Sequence, residues 1–225
     1  MIKFSSKRTQ QHLTRVYATL AGGILTSISF FILNQFIQIP VAIYVILMFA
    51  SLVFDLYNCC CSRNKNEKLR YVSYVFYAIG LGGGFGAATY SMTLAQRESY
   101  YQMCLSALLM TGLTFFSFSI FAILTQKRLA IYIGSMVLSL ILAIISLFVF
   151  NVMAEIVIGI MIAVSYVIFD TQTMIHRAEN GVYDTLYDAY MLFVDFAKLF
   201  IKFLELMQKK EKEKEKEKEK KKEKN

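Results

Sequence analysis

Long apolar segments, separated by short polar ones, account for most of the chain up to residue 207. A helix needs about 20 mostly apolar residues to cross roughly 30 Å of hydrocarbon. Segments of this kind lie at 16–38, 41–61, 69–95, 101–125, 129–150, 152–175 and 186–207. The first five carry few charges and lack the polar stripe of a soluble amphipathic helix. The pattern predicts an all-α fold, a polytopic membrane helix bundle with seven hydrophobic helices.

The distribution of Lys and Arg between the loops predicts the orientation of these helices. Four such residues precede the first span and four lie within 62–70, whereas the loops on the opposite side have almost none. We therefore expect a cytosolic N-terminus. Seven crossings would place the Lys-rich end of the chain on the opposite side. A last helix that re-enters without crossing would leave six spans and a cytosolic tail, and we favour it because the charge bias is strongest near helix ends.

The composition adds that most of the charge is concentrated in the tail. Of the 225 residues, 56% are hydrophobic and 18% are charged, against roughly 25% charged residues in typical globular proteins. Residues 209–225 hold ten Lys and six Glu, a net charge of +4. This low-complexity tail is predicted to be either disordered or a solvated helix. We divide the chain into a cytosolic N-terminal segment (1–15), a transmembrane bundle (16–207) and a charged tail (208–225).

The cysteines and histidines indicate neither a metal centre nor catalysis. Cys59, Cys60 and Cys61 are consecutive on a predicted helix, so they point in different directions and make a poor metal cage. Palmitoylation of these juxtamembrane residues is an alternative role. His12 and His176 lie near span ends and are expected to be solvated. Because no zinc motif or serine triad appears, we expect no enzyme, no resident cofactor and no nucleic-acid partner, with the lipid bilayer as the surroundings.

Asp170 and Asp195 are the most informative of the aspartates in predicted spans, where an ionisable side chain is costly and points to function, whereas Asp55, near the end of the second span, is interpreted as a helix-end charge. Asp170 lies late in the sixth span, and Asp195 lies near the middle of the seventh. A helical hairpin that turns at Asn180-Gly181 would bring both to a similar depth. Two carboxylates held close in a low dielectric cannot both ionise easily, which would make the pair a proton-sensitive switch. If both ionise, they form a hard oxygen site suited to calcium.

Simpler interpretations of the same residues remain open. Asp170 could be solvated near the end of its span, and Asp195 could pair with Lys198 on its own helix. A rough stripe at helical spacing could also be the solvated face of an amphipathic helix. The stripe comprises Asp184, Asp188, Asp195, Lys198 and Lys202. Within it, Lys198, Asp188 and Lys202 are candidate modulators of the aspartate pair.

Four short stretches near the two ends of the chain carry specific motifs. They are Tyr166-Val-Ile-Phe-Asp-Thr-Gln172, His176-Arg-Ala-Glu-Asn-Gly181, Leu192-Phe-Val-Asp-Phe196 and His12-Leu-Thr-Arg-Val-Tyr17. Together they resemble the Bax inhibitor (transmembrane Bax inhibitor motif) family. The Lys/Glu tail is similar to that of the endoplasmic-reticulum members of this family.

The resemblance implies a bundle of seven helices with the last helix central. It implies a pH-sensitive calcium leak governed by two aspartates, which correspond here to Asp170 and Asp195, with calcium as the transported ion. It also implies suppression of cell death at the endoplasmic reticulum, with Bcl-family death regulators and other membrane proteins as partners. For the basic tail, the resemblance implies a regulatory role.

The sequence departs from the family's pattern at three positions. Met191 stands where many members carry another aspartate, and Phe85 stands where the third-span glycines usually lead into a proline. Lys198 lies one turn beyond Asp195, where a neutral residue is common. A fixed positive charge there could hold Asp195 ionised, weaken calcium binding, or hold the channel closed by pairing with the aspartates. The departures therefore bear on conductance more than on the fold.

Two functional hypotheses therefore compete. One is a proton-gated calcium leak of an intracellular membrane, and the other is a non-conducting scaffold that regulates cell death through partner contacts and the basic tail. An intramembrane aspartyl enzyme is disfavoured because Leu192-Phe-Val precedes Asp195, where presenilin-type enzymes carry Gly-x-Gly. A rhodopsin-like protein is disfavoured because the third span lacks a convincing carboxylate counter-ion and the chain has no Trp.

Overall fold

The computed structural model describes residues 7–60, 67–89, 92–125, 133–135, 137, 138, 141 and 152–222. In these residues all regular structure is helical, which confirms the predicted all-α fold class. The helices are α1 (Lys7–Phe36), α2 (Val41–Cys60), α3 (Glu67–Ala87), α4 (Leu94–Leu124), α5 (helical residues 133–135, 137, 138 and 141), α6 (Val152–Glu179) and α7 (Thr185–Lys222). Each of the seven predicted segments therefore contains described helical residues.

The length and surface of these helices suit a lipid environment. Three helices in the described part of the chain are long and apolar enough to cross a membrane, namely Lys7–Phe36, Gln96–Leu124 and Met153–Glu179. Large apolar side chains also lie on the surface, where Phe36 is 80% exposed and Leu113 is 72% exposed. Water disfavours so much exposed apolar surface, whereas hydrocarbon does not. The chain is an integral membrane protein.

The connection between α3 and α4 differs from the predicted spans for a local reason. The third span was predicted to end at residue 95, but α3 ends at Ala87, and α4 begins at Leu94 rather than at 101. The Thr93 N–H donates to Gln96 Oε1 at 3.0 Å, and the Gln96 N–H donates to Thr93 Oγ1 at 3.4 Å. Such a capping box satisfies free amides at a helix N-terminus, and a hydropathy pattern does not contain this information.

The charged tail continues α7 without a break as far as Lys222. Lys and Glu are both strong helix formers. Their alternation places opposite charges three residues apart, which favours a helix, and like charges four residues apart, which opposes it, so the helix propensity decides. Of the two states expected for the tail, the structure therefore contains the solvated helix.

The chain divides into two compact units. The first unit comprises Met1–Thr9, Ser99–Val182 and Val194–Asn225, and the second comprises Gln10–Glu98 and Tyr183–Phe193. Helix α7 consequently contributes its first residues to the second unit and the rest to the first.

Small residues of α3 allow the helices of the second unit to pack closely. A Cβ atom on Gly82 would collide with the backbone at Ser27, and one on Gly83 would collide with the ring of Tyr44. The Asn34 amide donates a hydrogen bond to the Gly83 carbonyl at 2.8 Å. Close backbone approach and hydrogen bonds between helices are the interactions that stabilise helix association in lipid.

The first unit packs α4 and α6 against the second half of α7. The ring of Phe115 meets that of Phe196 edge to face, with 5.5 Å between centroids. The Gln172 side-chain amide donates to the Ala122 carbonyl. Leu199 is fully buried. This packing holds α6 and α7 side by side at the depth of the predicted aspartate pair.

The turn between α6 and α7 is defined by capping on both sides. Gly181 has a φ of 81°, a conformation in which a Cβ atom is unfavourable. The Val182 N–H donates to the Arg177 carbonyl at 2.9 Å, the long hydrogen bond of a Schellman motif. Asp184 then caps α7, because its Oδ1 accepts a hydrogen bond from the Tyr187 N–H at 3.1 Å. The predicted turn at Asn180-Gly181 is therefore observed.

Candidate functional site

Asp170 of α6 and Asp195 of α7 are neighbours in the first unit. Their carboxyl groups are close enough to share one hydrogen bond when one of them is protonated. They meet because each lies at a similar distance from the turn at Gly181, on helices that rise about 1.5 Å per residue. Asp195 is 1% exposed and Asp170 is partly buried. The structure thus brings these two residues together, and their role in gating stays a prediction.

Lys198 supplies the positive charge nearest to Asp195. Its ammonium nitrogen Nζ is 3.2 Å from Asp195 Oδ1 and 4.8 Å from the centre of the Tyr166 ring. An aromatic face attracts a cation at this range. The Lys198 side chain is 50% exposed, although its partner is almost fully buried. The ammonium therefore approaches the pair from its accessible side.

The second oxygen of Asp195, Oδ2, lacks a conventional donor. It is buried and receives no hydrogen bond from an amine, amide or hydroxyl in the part of the chain that the structure describes. A buried acceptor without a partner is costly. A proton shared with Asp170, or a bound cation, would satisfy it. The geometry therefore suits a site with affinity for protons and cations.

The other two candidate modulators have different partners. Asp188 Oδ2 lies 2.9 Å from His12 Nε2, and both side chains are only 3% exposed. Lys202 Nζ lies 2.8 Å from Glu205 Oε2, while its aliphatic stem lies beside Gly159. The predicted polar stripe is therefore not a uniformly solvated face, because its members have separate partners and differ widely in burial.

A cluster of charged side chains in the second unit was missed by sequence reasoning. His12 was expected to be solvated, but it is buried against Asp188, and its ring packs edge-on against Tyr183 with centroids 5.5 Å apart. Arg70 Nη2 donates to both oxygens of Asp184, at 2.9 and 3.1 Å. The sequence signals were a histidine in the second turn of α1 and two aspartates, one capping α7 and one in its first turn, where the helix dipole favours negative charge.

Other candidate residues give no evidence of a metal centre. Among the described residues, no group of three or more His, Cys, Asp or Glu side chains could hold a metal ion. Cys104 is a buried free thiol. The side chains of Cys59 to Cys61, and that of Asp55, lie outside the described residues. Calcium at the aspartate pair would need ligands beyond the two carboxyl groups, because it takes about six to eight oxygens.

Residues 9–212 match the family model described as "Inhibitor of apoptosis-promoting Bax1". The chain belongs to the Bax inhibitor family. The matched range includes both aspartates and the start of the charged tail.

Curated relatives of this Bax inhibitor family member span nearly its whole length. The "Bax inhibitor 1 homolog" of Dictyostelium discoideum is 31% identical over 92% of this chain and 84% of that protein. "Bax inhibitor 1" of Mus musculus is 27% identical, and that of Homo sapiens is 26% identical. Both alignments cover 94% of this chain and 92% of the relative. At the level of the family, the Bax inhibitor assignment supports a role in suppressing cell death.

Proposed function

We propose that this Bax inhibitor family member is a pH-sensitive calcium leak of an intracellular membrane and a suppressor of programmed cell death. The contact between Asp170 and Asp195 carries this proposal, because it places two acids in the apolar first unit of a membrane protein. Ionisable pairs in such surroundings mark ion pathways and proton relays in membrane proteins.

The pair provides a simple two-state mechanism. When one carboxyl group is protonated, a shared hydrogen bond links α6 to α7 and favours a closed state. When both are ionised, two like charges in contact repel each other in a low dielectric. That repulsion weakens the link between the helices and favours a cation between the carboxylates. Calcium flux is expected to rise with pH.

Proteoliposomes provide the direct test. Calcium flux is measured from pH 6 to 8 for the wild type, the Asp170→Asn/Asp195→Asn double variant and the matched control Glu205→Gln. Glu205 is acidic and lies on the same helix, but it pairs with Lys202. The proposal requires a pH-dependent flux that the double variant loses and the control keeps. A wild type with flux no higher than empty liposomes, from protein shown to be folded, would refute the leak.

Location and partners complete the proposal. We place the protein in the endoplasmic reticulum with its N-terminus in the cytosol, supported by the similar tail and by the Lys and Arg bias of the loops. Bcl-family death regulators and other membrane proteins are the proposed partners, and no enzymatic reaction or resident cofactor is proposed. Protease protection of tags at each end in sealed vesicles would test the orientation and the side of the tail.

The alternative function is a non-conducting scaffold, and one observation favours it. Helix α7 projects beyond the predicted bundle to Lys222, with exposed Lys side chains such as Lys210 and Lys214. A helix of this kind can hold a partner or an anionic membrane surface, at about 1 kcal/mol for each Lys near that surface. Removal of residues 209–225 would then abolish protection from cell death while leaving calcium flux unchanged. Loss of flux together with protection would count against the scaffold.

A further inference from the structure

Lys198 makes the aspartate site different from a simple pair of acids. Its Nζ contacts Asp195 Oδ1 at 3.2 Å, and its charge also acts on Asp170. Tyr166 lies on the other side of the ammonium, with its ring centre 4.8 Å away. Side chains from α6 and α7 therefore act together on one cation that belongs to the chain itself.

We propose that Lys198 is a tethered counter-ion that occupies a cation position at the Asp170–Asp195 pair and thereby lowers the affinity of the pair for calcium. Two ionised carboxylates carry a charge of −2, which matches a divalent cation. With Lys198 in contact, the same group carries −1, and a calcium ion would bring it to +1. In an apolar environment an unbalanced charge is unfavourable.

The position of Lys198 allows its ammonium group to compete with calcium without blocking the site permanently. Its side chain is 50% exposed, while Asp195 is buried. A flexible four-carbon stem lets the ammonium move away when another cation arrives. Calcium must therefore displace a bound charge, which lowers its affinity but does not forbid its entry. Asp195 Oδ2, which has no amine, amide or hydroxyl donor among the described residues, is the oxygen left to bind calcium while Lys198 holds Oδ1.

Lys202 provides a matched control on the same helix. It lies one turn beyond Lys198 and is also paired with an acid three residues away, Glu205, at 2.8 Å. In the described part of the chain Lys202 forms no hydrogen bond or ion pair with either member of the aspartate pair. Removing the charge of Lys202 therefore tests whether the loss of any lysine on α7 changes calcium binding, or whether only the loss of Lys198 does.

The test is calcium chloride binding to the purified full-length protein in nanodiscs, measured by calorimetry at pH 8. Lys198→Met is expected to bind calcium about tenfold or more tightly than the wild type, because charges within about 4–6 Å alter a carboxyl group's affinity for a proton by tenfold or more. Lys198→Arg keeps the charge, so it should bind like the wild type, as should Lys202→Met. Adding Asp195→Asn to Lys198→Met should abolish the gain. If Lys198→Met misfolds by circular dichroism, Lys198→Gln replaces it.

The inference rests on the proposed function only in taking calcium as the ion, and the two can fail separately. Equal calcium affinity of Lys198→Met and the wild type would overturn the counter-ion, even if wild-type flux depends on pH through the aspartates. An equal gain in Lys202→Met would also overturn it. Conversely, tighter binding confined to Lys198 variants, from a wild type that conducts no calcium, would support the counter-ion and refute the leak.

Discussion

Two groups of ionisable side chains, each with members at α7, differ in their numbers of acids and bases. In the second unit Asp188 pairs with His12 and Asp184 pairs with Arg70. In the first unit, within the described residues, Asp170 and Asp195 share one basic neighbour, Lys198. A buried group in which each acid has a basic hydrogen-bond partner is expected to hold helices together, whereas a group with more acids than bases attracts protons and cations. We therefore expect the group in the second unit to matter for stability, and the group of Asp170, Asp195 and Lys198 to matter for ion binding.

Substitution of Asp188 should have the largest effect on stability. Asp188→Ala leaves the Nε2 atom of His12 without its acceptor in a residue that is only 4% exposed, which should lower the free energy of unfolding by about 2–3 kcal/mol. Because the chain has no Trp, thermal unfolding in detergent is best followed by far-ultraviolet circular dichroism. Asp188→Asn keeps an acceptor for His12 and should lose less. A loss under about 1 kcal/mol for the alanine variant would contradict a fastening role.

Removal of Arg70 should have an intermediate effect. The Arg70 and Asp184 side chains are 16% and 19% exposed, so solvent screens their attraction in part. Arg70→Ala is expected to cost about 1–2 kcal/mol by the same measurement. Lys68→Ala, an exposed lysine at the start of the same helix, should stay within about 0.5 kcal/mol of the wild type. An equal loss of stability in Arg70→Ala and Lys68→Ala would show that the ion pair of Arg70 with Asp184 does not stabilise the protein.

Substitution of Asp195 should separate stability from ion response. Asp195→Asn keeps an acceptor for Lys198, gives Asp170 a donor and removes the surplus charge, so stability should change by less than about 1 kcal/mol. The pH dependence of calcium flux should nevertheless be lost. If Asp195→Asn is instead destabilised as strongly as Asp188→Ala, Asp195 stabilises the fold as Asp188 does, and the expected division between stability and ion binding is wrong.

Loss of Lys198 should have the smallest effect on stability. Its side chain is 50% exposed, and ion pairs of such accessible residues are worth roughly 0–1 kcal/mol. Lys198→Met should therefore unfold within about 0.5 kcal/mol of the wild type in the same dichroism experiment. A loss above about 1 kcal/mol would mean that Lys198 holds α7 in place and is not merely a counter-ion.

The sequence predicted the proximity of Asp170 and Asp195 better than it predicted the side chains around them. Depth alone placed Asp170 and Asp195 together, since both lie at similar distances from the turn at Gly181. Local spacing also left open a contact between Asp195 and Lys198, which the structure contains. Spacing did not distinguish Lys198 from Lys202, because each has an acid three residues away on the same helix. Only the packing of α6 against α7 decides that the acid beside Lys198 is the one that neighbours Asp170.

By itself, the sequence determined that this protein is an all-α membrane protein of seven apolar helices, and that Asp170 and Asp195 lie at similar depth in the last two. Hydropathy is a property of each segment alone, and the motifs that identify the family are equally local. Only the tertiary structure decided that His12 meets Asp188, 176 positions away, and that Arg70 meets Asp184. Such contacts depend on which helix faces pack together. Packing depends in turn on small residues such as Gly82 and on capped turns, which a hydropathy pattern does not record.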